Sequence, residues 1–263
     1  MVTVPVNASK VYDIIIGSGL LADAAAYLSP IVKGGAVALV SDDRVYPLYG
    51  EALRHTLQDS GIKVHSFIFP NGEASKNTDT YIALLNFLAS RAMTRNDTVV
   101  ALGGGVTGDM AGFAAATYMR GINFVQMPTT LLAAVDSSVG GKTAIDLQAG
   151  KNLAGAFYQP NLVLCDTRTF ATLDDSSFAD GTAEIIKHGI LAGGKLLKLL
   201  YTPLKAHLET VIQYNVMIKR DIVEADEREH GRRQLLNLGH TIGHAVEHLS
   251  GFQLTHGQAV AIG

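Results

Sequence analysis

The chain has 263 residues, 48% of them hydrophobic and 17% charged, with a formal net charge of -3. These totals describe a soluble globular protein and argue against a nucleic-acid or anionic-membrane surface, while allowing a local basic pocket for a small anion. The single cysteine, Cys165, excludes an internal disulfide and a cysteine-rich metal site, so any metal must take histidine and carboxylate ligands.

The N-terminus, MVTVPVNASKVYDI, has neither the basic region nor the apolar run of a signal peptide, and no apolar stretch is long enough to span a bilayer. The reading is cytosolic, with no membrane and no nucleic-acid partner. The length suits two domains slightly better than one. Tyr12 to Ile16 reads as a strand, Leu20 to Leu28 as a helix and Ala36 to Val40 as a second strand. Leu53 to Ser60 reads as helical and Lys63 to Phe69 as a strand. Between Thr78 and Ser90 the residues Tyr81, Leu84, Leu85 and Leu88 recur at the spacing of an amphipathic helix.

The stretch from Asp97 to Arg120 is organised as strand, tight turn and helix. Thr98 to Leu102 is β-branched and apolar, three glycines follow, and a helical, alanine-rich pattern takes over from Asp109. Gly103, Gly105 and Gly108 fit G-x-G-x-x-G, whose missing side chains let backbone N–H groups and a helix N-terminus approach a pyrophosphate. The plainer alternative is a sharp turn closing a buried α/β unit, which needs glycine for the same steric reasons. The ribose-binding acid expected about 20 residues further on is missing. The Ala36 to Val40 run ends in Ser41, Asp42 and Asp43, and an acid there is a substitute if that strand lies beside the glycine turn, which then follows a later strand than usual. Asn123 to Met127 and Leu162 to Cys165 add two more strands. A mainly parallel, two-sided sheet is therefore expected for residues 1–174.

After Asp174 β-branched runs give way to long helical patterns, as in Leu204 to Ala225 and Gln234 to His248. Residues 175–263 are expected to form an all-α domain, with a ligand cleft against the first. Ala259 to Gly263 is a helical run with no cap or stop, which reads as an incomplete end.

Three histidines, His240, His244 and His248, fall on one face of a helical segment; His240 and His244, at i and i+4, form a metal platform if a carboxylate joins them, or else a polar helix surface. His256 sits at another helix start. Glu184 is an acid in an otherwise apolar stretch, and buried carboxylates are rare unless paired or coordinated. Lys142, Lys151, Lys187, Lys219 and Arg233 are candidate anion ligands, though each alone reads as solvated surface charge. GGKT at 140–143 is not a Walker loop, since that pattern needs glycine where Asp136 stands.

The strings NGEASK (71–76), GGGVTGD (103–109), PTTLLAAVDSSVGGKTAID (128–146), GKN (150–152), AEIIKHG (183–189), LNLGHTIGHA (236–245) and THGQAVAIG (255–263) together resemble the 3-dehydroquinate synthase family. The resemblance runs from about residue 40 to the end. It implies an N-terminal NAD-binding α/β domain (1–174), an all-α C-terminal metal-binding domain (175–263), and one divalent metal, zinc or cobalt, held by Glu184, His240 and His256. It implies NAD contacts at Asp42, Asn71, Gly72, Glu73, Ala74, Ser75, Lys76, Gly104, Gly105, Val106, Thr107, Gly108, Asp109, Thr129, Thr130, Lys142, Lys151, Thr169, Phe170, Ala171 and Thr172. Lys142, Asn152 and His244 correspond to a phosphate-binding set, which takes His244 away from the metal. Lys219 and Arg233 correspond to a carboxylate set, and Asp136, Lys187 and Asn237 to residues around substrate hydroxyls. Arg120 matches a residue reaching the neighbouring subunit's site, so a homodimer is implied.

The implied substrate is 3-deoxy-D-arabino-heptulosonate 7-phosphate, a sugar-phosphate acid of the shikimate route. The implied reaction is transient oxidation, phosphate elimination, re-reduction and aldol closure to 3-dehydroquinate, with NAD as a catalyst and not a consumed oxidant. Two departures stand out: Arg44 where the family usually has Asn, and Gln258 where it has Glu. The stretch from Ile190 to Lys219 is also shorter, and the family continues beyond Gly263 with further helices. Other sugar-phosphate cyclases and metal-dependent alcohol dehydrogenases share the implied fold. Lys219 and Arg233, with Asn237 and His244, favour a substrate bearing an acid group. The other class of reading is a non-catalytic NAD- and metal-binding module.

Overall fold

Nine strands are present among the residues that the computed structural model describes, 1–250 and 254–263, with the His248 side chain outside that description. They are β1 (Val2–Asn7), β2 (Val11–Gly17), β3 (Ala36–Asp42), β4 (Lys63–Phe69), β5 (Thr98–Gly103), β6 (Asn123–Pro128), β7 (Lys142–Leu147), β8 (Gly150–Phe157) and β9 (Leu162–Asp166). Seven form one sheet in the order β1-β2-β9-β6-β5-β3-β4, parallel throughout except for β1 at the edge. Every residue of β5 and of β9 is buried. That is why both read as unbroken apolar runs, the pattern of a parallel strand covered on two faces.

One face carries α1 (Ala24–Val32) and α2 (Glu51–Asp59), where Leu28, Leu53 and Leu57 pack with Leu39, Val100 and Val125. The other face carries α3 (Thr78–Ser90) and α4 (Gly105–Thr117), where Leu84, Leu88 and Met110 pack with Val40, Val99 and Phe124. Small residues on α4 allow a close approach: a Cβ on Gly112 would stand 2.4 Å from Thr143 of the β7–β8 hairpin. The later helices are α5 (Asp175–Ala192), α6 (Gly194–Leu199), α7 (Leu208–Ala225), α8 (His240–Leu249) and α9 (His256–Ile262). Ile185 of α5 and Val211, Ile212 and Val216 of α7 share a core with Val4, Ile14, Ile16 and Val163 of the sheet. No helix of the described residues is long and apolar enough to cross a membrane.

Sheet order creates the site. From β3 the chain crosses outward to β4, whereas from β5 it crosses the opposite way to β6. The connections therefore diverge between β3 and β5, and a crevice opens at their carboxyl ends, the usual ligand position in open α/β sheets.

Several elements differ from expectation. The first helix begins at Ala24, not Leu20, because the Asp166 carboxylate accepts from the backbone N–H groups of Gly19 and Leu21 and holds them in a turn. Helix α4 begins at Gly105, four residues before Asp109. Leu204 to His207 is a 3-10 turn leading into α7. The pattern from Gln234 to His248 is broken at Gly239, whose φ of +79° permits a close approach to the Val260 carbonyl, 2.6 Å from an added Cβ. Neither β1 nor the β7–β8 hairpin is expected from the sequence pattern; the short side chains of Ala144, Ala154 and Gly155 dilute the hairpin's alternation.

Candidate active site

The glycine turn lies at the carboxyl end of β5, and α4 starts at once beyond it, so its first N–H groups face the crevice. Internal packing alone accounts for two glycines: a Cβ on Gly103 would stand 2.4 Å from the Thr107 hydroxyl, and one on Gly108 would stand 2.7 Å from Gln126. Gly104 and Gly105 meet only side-chain tips at 3.1 and 3.3 Å, which leaves the ligand-facing half of the turn to explain them.

The other expected cofactor residues gather along the same sheet edge. Asp42 closes β3, next to β5 as the missing ribose acid requires. Its Oδ1 accepts from the backbone N–H groups of Arg44 and Val45. Asn71 to Lys76 follow β4, with Asn71 donating from its backbone to Asp43 and Glu73 to Ser75 forming a 3-10 turn after Gly72. Lys76 is buried and its ammonium donates to Asp109 and Asn152, each at 2.6 Å. Val106 and Thr107 belong to the first turn of α4. Thr129 and Thr130 follow β6, and the turn Thr169, Phe170, Ala171, Thr172 follows β9. Arg44 reaches across to Asp174, the N-cap of α5, at 2.9 Å, and Tyr49 bonds Thr169 and Thr172.

The metal candidates converge from three helices. Glu184 is fully buried on α5, and its Oε1 lies 3.8 Å from His240 Nε2 and 3.7 Å from His256 Nε2. Its Oε2 forms an ion pair with Lys187, one turn on, yet neither oxygen has a hydrogen bond among the described residues. Burial acts to raise the Glu184 carboxyl, but the His256 imidazole and the Lys187 ammonium more than offset it, so the group lies below the usual carboxylate value. His256 is raised by that same carboxylate, whereas burial lowers His240. Gly257 makes the convergence possible, since a Cβ there would stand 2.4 Å from the Asp180 Cα of α5. Gln258 completes a capping box with Thr255 at the start of α9, a task that Gln performs as well as Glu.

His244 stands close by, its ring centre 5.3 Å from His240 and 5.9 Å from His256, but the carboxylate it groups with is Glu247. The His248 side chain lies outside the described residues. Three sets of candidate ligands exist among the described residues: Glu184, His240 and His256; His244, Glu247 and His256; and Asp136, Glu184 and His188. The first has both of its imidazole Nε2 atoms within 4 Å of a carboxylate oxygen with no hydrogen bond.

Between glycine turn and metal candidates lies Asp136. Its neighbour Ser137 approaches Gly105, and its Oδ1 accepts from Lys219 at 2.6 Å. Withdrawal from solvent would raise this carboxyl, but Lys219, Lys187 and His188 hold it well below the usual range. Beneath it His188 is fully buried. Asn215 donates its amide N–H to the Val211 carbonyl, which turns its oxygen toward His188 Nδ1 at 3.0 Å, so Nδ1 carries the proton. Burial pushes this imidazole down to about 4.

The remaining candidates are dispersed. Lys142 is paired with Glu229, which also accepts from Asn237 at 3.0 Å. Asn152 is held in the left-handed region at φ +57° and accepts from Lys76. Lys151 bonds Glu247 at 2.8 Å. Arg233 is 1% exposed, its guanidinium donating to the Gly140 and Glu227 carbonyls, so it presents little to an open surface. Arg120 follows the C-terminal end of α4, a helix length from the glycine turn, and is not brought to this site within one chain. Glu229, Glu247 and His188 were not singled out from the sequence.

The chain matches two family models, described as 3-dehydroquinate synthase N-terminal over residues 66–180 and 3-dehydroquinate synthase C-terminal over residues 181–263. It is 48% identical over 272 residues to a 3-dehydroquinate synthase of Caulobacter vibrioides, covering 99% of this chain and 74% of the relative. It is 45% identical over 258 residues to that of Clostridium acetobutylicum, covering 96% and 72%. A crystal structure of 2-deoxy-scyllo-inosose synthase with carbaglucose-6-phosphate, NAD+ and Co2+ superposes with a TM-score of 0.91 at 29% identity, over 99% of this chain and 74% of the other. Matched by both halves in sequence order and by relatives sharing nearly half their residues over almost its whole length, the chain belongs to the 3-dehydroquinate synthase family of enzymes.

Proposed function

We propose that the chain converts 3-deoxy-D-arabino-heptulosonate 7-phosphate to 3-dehydroquinate and phosphate, as a phosphate-eliminating lyase that uses bound NAD and one divalent metal. The observation that carries this reading is the convergence of Glu184, His240 and His256 beside the glycine turn. One carboxylate and two imidazoles suit zinc or cobalt, which they would hold with three protein ligands, the number usual in catalytic sites. The related 2-deoxy-scyllo-inosose synthase, crystallised with NAD+ and Co2+, supports both groups. The crevice between β3 and β5, with Asp42 on one side and the α4 N-terminus on the other, suits the dinucleotide. When bound, the two groups would supply a reversible hydride acceptor and Lewis acidity toward a substrate hydroxyl.

The protein's own residues do the rest. Lys142, Asn152 and His244 bind the phosphate, and Lys219 and Arg233 the carboxylate, so that opposite ends of the substrate are fixed by separate cationic groups; for this Arg233 must turn from the Gly140 and Glu227 carbonyls and Lys219 must share its ammonium with Asp136. Asp136, held ionised at neutral pH, accepts a hydrogen bond from a substrate hydroxyl and cannot serve there as an acid. Lys187 and Asn237 donate to neighbouring hydroxyls. Lys142 must exchange its Glu229 partner for the phosphate, or share it. Residues 1–174 act as the cofactor part and 175–263 as the metal part, and Arg120 serves a second copy of the chain in a homodimer.

The test is to supply the heptulosonate phosphate and, separately, sedoheptulose 7-phosphate, and to follow phosphate release. The acid-bearing substrate should be turned over preferentially, with activity lost on chelation and no net NADH formed. Preference for sedoheptulose 7-phosphate would overturn the substrate; binding of NAD and zinc without phosphate release would indicate a non-catalytic module.

A further inference from the structure

Glu247 is a buried carboxylate, 6% exposed, for which the reaction above has no use. It lies on α8 at i+7 from His240 and i+3 from His244, on the helix face turned to the metal candidates. Its Oε1 accepts from Lys151 of β8 at 2.8 Å, and its Oε2 lies 4.0 Å from His256 Nδ1. The other nitrogen of that ring, Nε2, faces Glu184 at 3.7 Å. The His256 imidazole is thus flanked by a carboxylate at each ring nitrogen, with Glu184 from α5 on one side and Glu247 from α8 on the other.

A histidine that ligates a metal through one nitrogen commonly donates from the other to a carboxylate, which fixes the tautomer and raises the basicity of the ligating atom. A buried carboxylate in turn needs a compensating charge. Lys151 supplies one from the hairpin, and its ammonium also lies 3.9 Å from Glu73 on the cofactor side.

We propose that Glu247 is a positioning residue for the metal site: its carboxylate receives the Nδ1–H of His256, turning the Nε2 lone pair toward Glu184, and Lys151 holds that carboxylate in place. This rests on the metal reading of Glu184, His240 and His256. The same atoms admit a rival in which Glu247 is itself a ligand together with His244 and His256, and the test separates the two.

Glu247→Gln, Glu247→Ala and Glu184→Ala are prepared in the full chain. Their melting without metal establishes that they fold, and their affinity for zinc(II) and cobalt(II) is measured by competition with a chromophoric chelator. The cobalt absorption bands report ligand geometry. Both Glu247 variants should bind one ion about 10–100-fold more weakly than the unaltered chain, with shifted cobalt bands, while Glu184→Ala loses stoichiometric binding. If Glu247→Ala does not fold, Glu247→Gln decides. Affinity within twofold of the unaltered chain and unmoved bands in Glu247→Gln would overturn the positioning role. Loss of the ion in Glu247→Gln as complete as in Glu184→Ala would make Glu247 a ligand and overturn it too. Should Glu184→Ala bind cobalt as tightly as the unaltered chain, the metal reading itself fails, and the role of Glu247 falls with it.

Discussion

Burial without exposure to solvent dictates the protonation of the residues beneath the site, and His188 shows this most simply. Its ordinary value is about 6.5, and burial lowers it to about 4. Between those values the unfolded chain takes up a proton that the folded chain does not. Stability from this group is therefore complete above pH 6.5 and declines as pH falls toward 4, by about 3 kcal/mol in all. The urea midpoint of the metal-free protein should fall over that window, and His188→Gln should flatten the slope; an unchanged slope would contradict the neutral imidazole. Lys219 and Asp136 act as a pair. Lys219→Met strands a largely enclosed carboxylate and should cost about 3 kcal/mol. The Asp136→Asn and Lys219→Met double variant should recover part of that loss, and additive losses in denaturant titrations would show that the two groups do not interact.

Among the elements, α9 illustrates how a short helix is fixed at its first turn. Thr255 caps it, Asp180 accepts from both the Thr255 hydroxyl and the Gly257 N–H, and Gly257 has no room for a methyl group against α5. Gly257→Ala should therefore destabilise the protein by about 1–3 kcal/mol through overpacking, read in thermal melts, and weaken metal binding by displacing His256. Melting and metal affinity both unchanged would contradict the close approach. Much of this scale was legible in the sequence. The β4 and α3 spans coincide with their sequence readings because their periodicities are unbroken over Lys63–Phe69 and Thr78–Ser90. Long-range contacts escaped it: the Asp166 anchor that delays α1, the Val260 carbonyl that selects glycine at 239, and the hairpin whose small residues carry little pattern. The i, i+4, i+7 stripe of His240, His244 and Glu247 is present in the sequence too, where the three histidines mask it.

For the molecule as a whole, the candidate site joins one divergence and one convergence. The sheet order parts the chain between β3 and β5 and opens the crevice, while α5, α8 and α9 bring an acid and two imidazoles, distant in sequence, within reach of one another. Family strings could point to Glu184, His240 and His256, but periodicity alone paired His240 with His244. The fold adds which imidazoles face the carboxylate: Nε2 of His240 and of His256 lie within 4 Å of Glu184 Oε1. The measurement that bears most directly on this arrangement is anomalous scattering at the zinc edge from crystals of the zinc-loaded protein. The account predicts one peak, bonded by the Glu184 carboxylate and by Nε2 of His240 and His256. A peak held by His244 and Glu247, or by Asp136 and His188, would contradict it.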